Sequence, residues 1–260
     1  MMRAIFLPLI ILELCVTLIC AQDACDACLC YKRNNEKYVD CTGNGLTTIP
    51  TGIPDDTVHL LLQDNDIEEV GYINSTLGQI SRLKKLFLHN NNISKIAPDA
   101  FAGVQNIDTL LLHFNSIQNI SSAWFKGLRQ LEWLWLNNND ASVIHDDAFL
   151  GLTNLRELYL QNNRFQNLHT LNMTDLVNLK HLYTTTDFPI VDPTCCTFCG
   201  LPSTVDISWG DIPGPYQLSN LNPPQQPREL KCGELKSSLV VCSWFTLNYI
   251  REQWSKPPKF

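Results

Sequence analysis

Residues 83–96 read Leu83-Lys84-Lys85-Leu86-Phe87-Leu88-His89-Asn90-Asn91-Asn92-Ile93-Ser94-Lys95-Ile96, and the stretch recurs. Its skeleton, L-x-x-L-x-L-x-x-N-x-I-x-x-I, starts again at Ile107, Leu131, Leu155 and Leu179, 24 residues apart each time. The second position is Leu86, Leu110, Leu134, Leu158 and Leu182, and the next is Leu88, Leu112, Leu136 and Leu160. Asparagine follows at Asn91, Asn115, Asn139 and Asn163, and Phe101, Phe125 and Phe149 recur further on, with Met173 in the fourth place. An earlier, longer unit begins at Thr57 and carries Leu60, Leu62, Asn65, Ile67 and Val70. The pattern decays after Leu182, where Thr184 takes a leucine place and Asp187 an asparagine place.

A fixed period of this length is the mark of a stacked architecture. Leucines at alternate positions put two side chains on one face of a short strand. The asparagine amide, with two donors and two acceptor sites, can satisfy buried backbone groups of neighbouring coils. The phenylalanine fills the far side of each coil. One coil cannot bury these residues, but about six in a stack make a continuous core. The strands then pair in parallel and line the inner side of a curved solenoid.

The ends of the chain differ from this middle. Eleven cysteines suggest an oxidising compartment. Met1 to Ala21 reads as a secretory signal, with Arg3 as its positive region and Ala4 to Cys20 mostly apolar, interrupted by Glu13. Cys25, Cys28, Cys30 and Cys41 precede the repeats, and Cys195, Cys196, Cys199, Cys232 and Cys242 follow them. Stapled ends with a bare middle are what an open-ended stack needs. These nine are odd in number, which leaves one thiol free or paired with another chain, a disulfide-linked partner. The divisions expected are 1–21 signal, 22–56 cysteine-rich cap, 57–188 solenoid, and a cysteine- and proline-rich tail at 189–260. A net charge of −7 argues against nucleic acid as partner. No stretch after residue 21 reaches the roughly 18 apolar residues of a membrane span.

These features resemble the extracellular leucine-rich repeat family. The likeness covers roughly residues 25–186, and the run from Val39 through Cys41, Leu46 and Pro50 to Pro54 follows that family's N-terminal cap signature. It implies an α/β-type repeat, a right-handed leucine-rich repeat solenoid with disulfide-bonded caps. It also implies the pairs Cys25–Cys30 and Cys28–Cys41, although four clustered cysteines could instead hold zinc. The C-terminal end departs from the usual cap, and its Cys195-Cys196-Thr197-Phe198 is similar to the hinge of leucine-rich-repeat hormone receptors. The cap and repeats resemble those of the variable lymphocyte receptors of jawless vertebrates, and nearly as well those of small matrix proteoglycans and neuronal guidance proteins. The first likeness implies soluble immune recognition of microbial or glycan surfaces. The others imply a matrix or signalling-ligand binder, or a soluble relative of a hormone-receptor ectodomain.

Residues between the inward leucines point to the concave face and form columns, with equivalent residues about 4.8 Å apart. The central column is Leu61, Phe87, Leu111, Trp135, Tyr159 and Tyr183. Two residues earlier, the leading column is His59, Lys85, Thr109, Trp133, Glu157 and His181. Two later, the trailing column is Gln63, His89, His113, Asn137, Gln161 and Thr185. Six apolar or aromatic side chains in a row have no role in a core on the other face. The expectation is an exposed ribbon that binds an extracellular protein or glycan, since Tyr and Trp are enriched in binding hot spots. His89 and His113 are column neighbours that could share a metal or sense acid, although such histidines are more often simply solvated. The sequons at Asn74, Asn92, Asn119 and Asn172 avoid all three columns.

Catalytic signals are missing. There is no G-x-S-x-G, H-E-x-x-H or phosphate-binding glycine loop. Cys196-Thr197-Phe198-Cys199 has redox spacing but no βαβ context, and Asp146-Asp147 reads as a solvated turn. A secreted binding protein is expected, with no enzyme activity, no cofactor and no metal.

Overall fold

The computed structural model describes residues 23–71, 80–165, 171–184, 201–202, 205–209 and 230–231. Each coil contributes one short strand to a single sheet, because each L-x-L triplet is too short to bury itself and pairs with the equivalent triplet of the next coil. The sheet runs β1 (Leu29–Arg33), β2 (Glu36–Asp40), β3 (Thr57–Leu61), β5 (Lys85–Phe87), β7 (Thr109–Leu111), β9 (Trp133–Trp135), β11 (Glu157–Tyr159), β12 (His181–Thr184), β13 (Asp206–Trp209) and β14 (Leu230–Lys231). Every pairing from β2 to β13 is parallel, and the hairpin partners β1 and β14 at the two ends are antiparallel. The register puts Leu60, Leu86, Leu110, Leu134, Leu158 and Leu182 side by side. A slip of one residue would turn all of these leucines out to water.

The return path of each coil is made of turns rather than helices. The one helix among the described residues is α1 (Ala24–Ala27), in the N-terminal cap, so the α/β character of the repeat is slight. Two-residue strands line the back instead, β4 (Glu69–Val70) with β6 (Lys95–Ile96) and β8 (Asn119–Ile120) with β10 (Val143–Ile144). Behind them runs a spine of Phe101, Phe125 and Phe149, all with no exposed surface, with ring centroids 6.5 and 6.2 Å apart. Met173 is equally buried at the fourth place.

The asparagines bind coil to coil. The Ile93 N–H donates to Asn115 Oδ1 (2.9 Å), and Asn115 Nδ2 donates to the carbonyls of Leu88 (3.0 Å) and Leu112 (3.0 Å). Asn65, Asn91, Asn139 and Asn163 repeat the arrangement one coil at a time. Thr184, in the decayed last unit, takes its leucine place fully buried, with an Oγ1 that makes no hydrogen bond within the chain.

At the N-terminal end the cysteines are joined as Cys25–Cys30 and Cys28–Cys41, which removes the zinc alternative. Cys28, Cys41 and Val39 are buried over the first coil, closing its open apolar end. Replacing Cys28 and Cys41 together with serine opens a 13-residue separation. The expected loss is about 3 kcal/mol, read from urea unfolding, since the cross-link restrains the unfolded chain. Cys195, Cys196, Cys199, Cys232 and Cys242, and the signal at 1–21, lie outside the described residues.

Candidate functional site

The concave side of the sheet carries the three columns, and the strands position them by simple alternation. In β9, Leu134 is fully buried while Trp133 and Trp135 on either side are half-buried and point away from the core. The central column forms a stack of rings. Trp135 and Tyr159 lie 4.4 Å apart between centroids, and Tyr159 and Tyr183 lie 4.3 Å apart and nearly parallel. The cause is the strand spacing of about 4.8 Å, which leaves room for little more than one ring thickness between neighbours.

That spacing corrects the expectation of a ribbon of exposed rings. Leu61, Phe87, Leu111, Trp135 and Tyr183 are half-buried, and Tyr159, with a ring on each side, is only 5% exposed. Ring faces cover one another and mainly edges meet water. The Tyr159 hydroxyl donates to Glu157 Oε2 (2.8 Å), and burial first, then this bond, holds the phenol firmly in its neutral form.

The trailing column is more buried still. His113 is 1% exposed, Gln161 2% and Asn137 7%, while Gln63 and His89 are half-buried. The rings of His89 and His113 stack at 4.5 Å, and His113 also meets Trp135 at 5.1 Å. One aromatic file therefore runs obliquely from His89 through His113, Trp135 and Tyr159 to Tyr183. His113 is therefore shut off from water, and His89 is partly so. Burial pushes His113 down to about 3, with the neighbouring His89 adding to it, and burial lowers His89 against the opposing pull of Asp64. Both are neutral at physiological pH. Gln63 Oε1, His89 Nδ1, His113 Nδ1, Asn137 Oδ1 and Gln161 Oε1 are all buried and make no hydrogen bond within the chain. No group of three or more potential metal ligands exists among the described residues.

The leading column divides in two. His59 is buried, stacks on Tyr38 of the cap at 4.0 Å, and its Nε2 meets Glu36 Oε2 at 2.7 Å. The cap hairpin thus covers the first coil, and the His59 contact holds the Glu36 carboxyl below its ordinary range. Thr109 is buried against Asp108, whereas Lys85, Trp133, Glu157 and His181 are half-buried. Tyr31 and Tyr38, which continue this column into the cap, were not anticipated from the sequence. Their signal was two tyrosines at opposed places of a short hairpin. A groove beside the strand starts, lined by Lys37, Asp56, Arg82, Lys84, Asp108 and Glu132, mixes both signs of charge, with Lys37 and Asp56 paired at 2.8 Å.

Asn92 and Asn119 are exposed and Asn172 is half-buried, with its Nδ2 3.2 Å from Asp147 Oδ1. None of these lies in a concave column, and Asn74 and Thr185 fall outside the described residues.

One exposed apolar residue of this face was also missed. Phe114 follows His113 at the rim, is 43% exposed, and has its ring 5.5 Å from the His113 ring in an edge-on contact. Its φ is +53°, in the left-handed region.

Residues 81–140 and 129–185 match the family model described as leucine rich repeat. The chain is 38% identical over 78 residues to mouse leucine-rich repeat-containing protein 3, covering 30% of each chain. It is 30% identical over 69 residues to human oligodendrocyte-myelin glycoprotein, covering 26% of this chain and 14% of that one. The matched part is thus less than a third of the length of either relative. A structure of a TLR13-ssRNA13 complex superimposes with a TM-score of 0.53 at 24% identity, covering 70% of this chain and 28% of that one, a likeness of fold.

Proposed function

We propose that this chain, a leucine-rich repeat protein, is an extracellular binding protein that holds a macromolecular ligand against its concave face. The observation that carries the reading is the stack of Trp135, Tyr159 and Tyr183 on the side of the sheet away from the core. The core is complete without these rings, because Leu134, Leu158 and Leu182 fill it from the same strands. Two disulfides in the cap support an extracellular setting.

Ligand binding here is a matter of shape and edge chemistry rather than reaction. A stacked ring shows its rim, where C–H, phenol and indole N–H groups carry partial positive charge. Such a rim suits hydrogen-bond acceptors such as carbonyl oxygens. Trp135→Ala combined with Tyr159→Ala is expected to cost about 2 kcal/mol or more of binding energy, roughly thirtyfold in affinity or greater. Surface plasmon resonance against ligands retained by the immobilised protein measures this, with circular dichroism to show that the solenoid persists. Unchanged affinity in the double variant would sink the reading. The two occupants foreseen are a microbial or glycan surface and a matrix or signalling protein. Side-by-side retention of whole bacteria and of purified matrix proteins and growth factors separates them.

A further inference from the structure

The sheet begins with an open edge. β1 stands first in the strand order, bonded to β2 on one side and to no other strand among the described residues. Leu29, Tyr31, Lys32 and Arg33 are all exposed, Leu29 by 66%. None of the sequons lies in the cap, so no N-linked glycan acceptor flanks this strand. A bare edge of this kind is a template for another strand.

The turn that closes the hairpin decides which groups the edge presents. Asn34 and Asn35 both have positive φ (51° and 64°), as in the two-residue turn whose flanking residues, here Arg33 and Glu36, exchange both backbone bonds. Alternation then turns the N–H and C=O of Leu29, Tyr31 and Arg33 towards β2, and those of Cys30 and Lys32 outward. An antiparallel neighbour must set outward residues against outward residues. A second copy of β1 can do so in three registers. With Cys30 opposite Cys30, Lys32 falls opposite Cys28, whose N–H is already given to Ala24. With Lys32 opposite Lys32, two ammonium groups face each other and Cys30 falls opposite Asn34 in the turn. With Cys30 opposite Lys32, both outward residues of both copies exchange their pairs of bonds.

The third register suits the side chains as well. Its twofold axis passes through Tyr31, which meets its own copy in the close, non-hydrogen-bonded kind of pair. Tyr31 already ends a stack of rings, 5.0 Å from Tyr38, which lies 4.0 Å from His59. One Tyr31 ring against the other carries that stack across the axis. Leu29 stands opposite Arg33. The row across the joint is then Glu36 and Arg33 of one copy followed by Leu29 and Asp40 of the other, a cation between two carboxylates. Lys32 meets Cys30 and no like charge.

We infer that β1 is a self-pairing edge: two copies of the chain join antiparallel about Tyr31, and their sheets run on as one. The pairing does not depend on a ligand of the concave face, and it sets two such faces side by side.

A joint of one short strand is small, so the dimer is weak, with a Kd on the order of 10–100 µM. Sedimentation equilibrium of the full chain from about 1 to 300 µM brackets that value, and the mass is expected to rise from one copy to two. Lys32→Pro removes an outward N–H and leaves the bonds to β2 intact, since proline is tolerated on edge strands. It is expected to keep the parent circular dichroism and to weaken the dimer at least about tenfold. Lys32→Ala loses the same side chain, with its 3.6 Å ion pair to Asp56, but keeps the N–H, and should dimerise like the parent. Hydrogen exchange of the parent gives a readout free of substitutions. The amides of Cys30 and Lys32 should slow as concentration rises, while those of Leu29, Tyr31 and Arg33 are protected throughout. A chain that stays monomeric, a dimer that survives Lys32→Pro, or one lost equally in Lys32→Ala overturns the proposal. So does growth past two copies, since a twofold pairing uses up the edge. Exchange at Cys30 and Lys32 that ignores concentration overturns it too.

Discussion

Asn115→Ala is expected to cost roughly 2–3 kcal/mol of stability, because it leaves one buried backbone N–H without an acceptor and removes two further buried hydrogen bonds. The buried Ile93 N–H loses its acceptor, while the carbonyls of Leu88 and Leu112 each lose one of two asparagine donors and keep Asn91 and Asn139. No water reaches them, since Leu88, Ile93 and Leu112 have no exposed surface. The loss falls on two neighbouring coils, so the solenoid should weaken at its middle rather than fray at one end. Asn154 supplies the control. Its Nδ2 also donates to a carbonyl one coil back, Arg129 at 2.8 Å, but in an exposed setting. Asn154→Ala should cost about 0.5 kcal/mol, because water replaces the lost bond. Urea denaturation of the two variants gives the comparison, and equal losses would contradict the role given to the buried asparagines.

Acid should weaken the fold well before its carboxylates titrate. His113 sits in the folded chain at about 3, against about 6.5 when unfolded. A group with a depressed imidazole pKa stays neutral when folded and takes up a proton when unfolded. Its contribution is therefore complete above the unfolded value and is lost as pH falls through the window from about 6.5 down to 3. The slope is about 1.4 kcal/mol per pH unit, which gives roughly 2 kcal/mol between pH 7 and pH 5. His89, shifted the same way by burial, adds to it, and Asp64 opposes it at His89. The Glu36 and Asp56 carboxyls, held low by His59 and Lys37, act in the same direction but only at lower pH. His113→Gln, which places in the column the residue type of Gln63 and Gln161, should flatten most of the drop between pH 7 and 5. A urea midpoint that does not move over that interval in the parent chain would refute the burial of an uncharged His113.

The repeat was legible because each of its parts is local. The leucine triplet, the asparagine and the phenylalanine all belong to one coil and recur at one period. The same is true of the left-handed residue before each asparagine, since Asp64, Asn90, Asn138 and Asn162 announce that torsion by their chemistry. Phe114 stayed hidden because phenylalanine gives no such signal. His59 was expected on an open face, and the cap hairpin that covers it through Tyr38 and Glu36 comes from some twenty residues earlier in the chain. His113 was expected in water, and it is buried by His89 on one side and Trp135 on the other.

Which side of each strand faces the core follows from the order of residues along one coil, because alternation is a property of a single extended backbone. How much of the other side meets water does not follow from it. That is set by rings 24 positions away, brought within 4.3–4.5 Å by the pairing of parallel strands. Stacking at that distance covers ring faces and suppresses imidazole charge, and at the rim it leaves Phe114 as the exposed ring beside the stack.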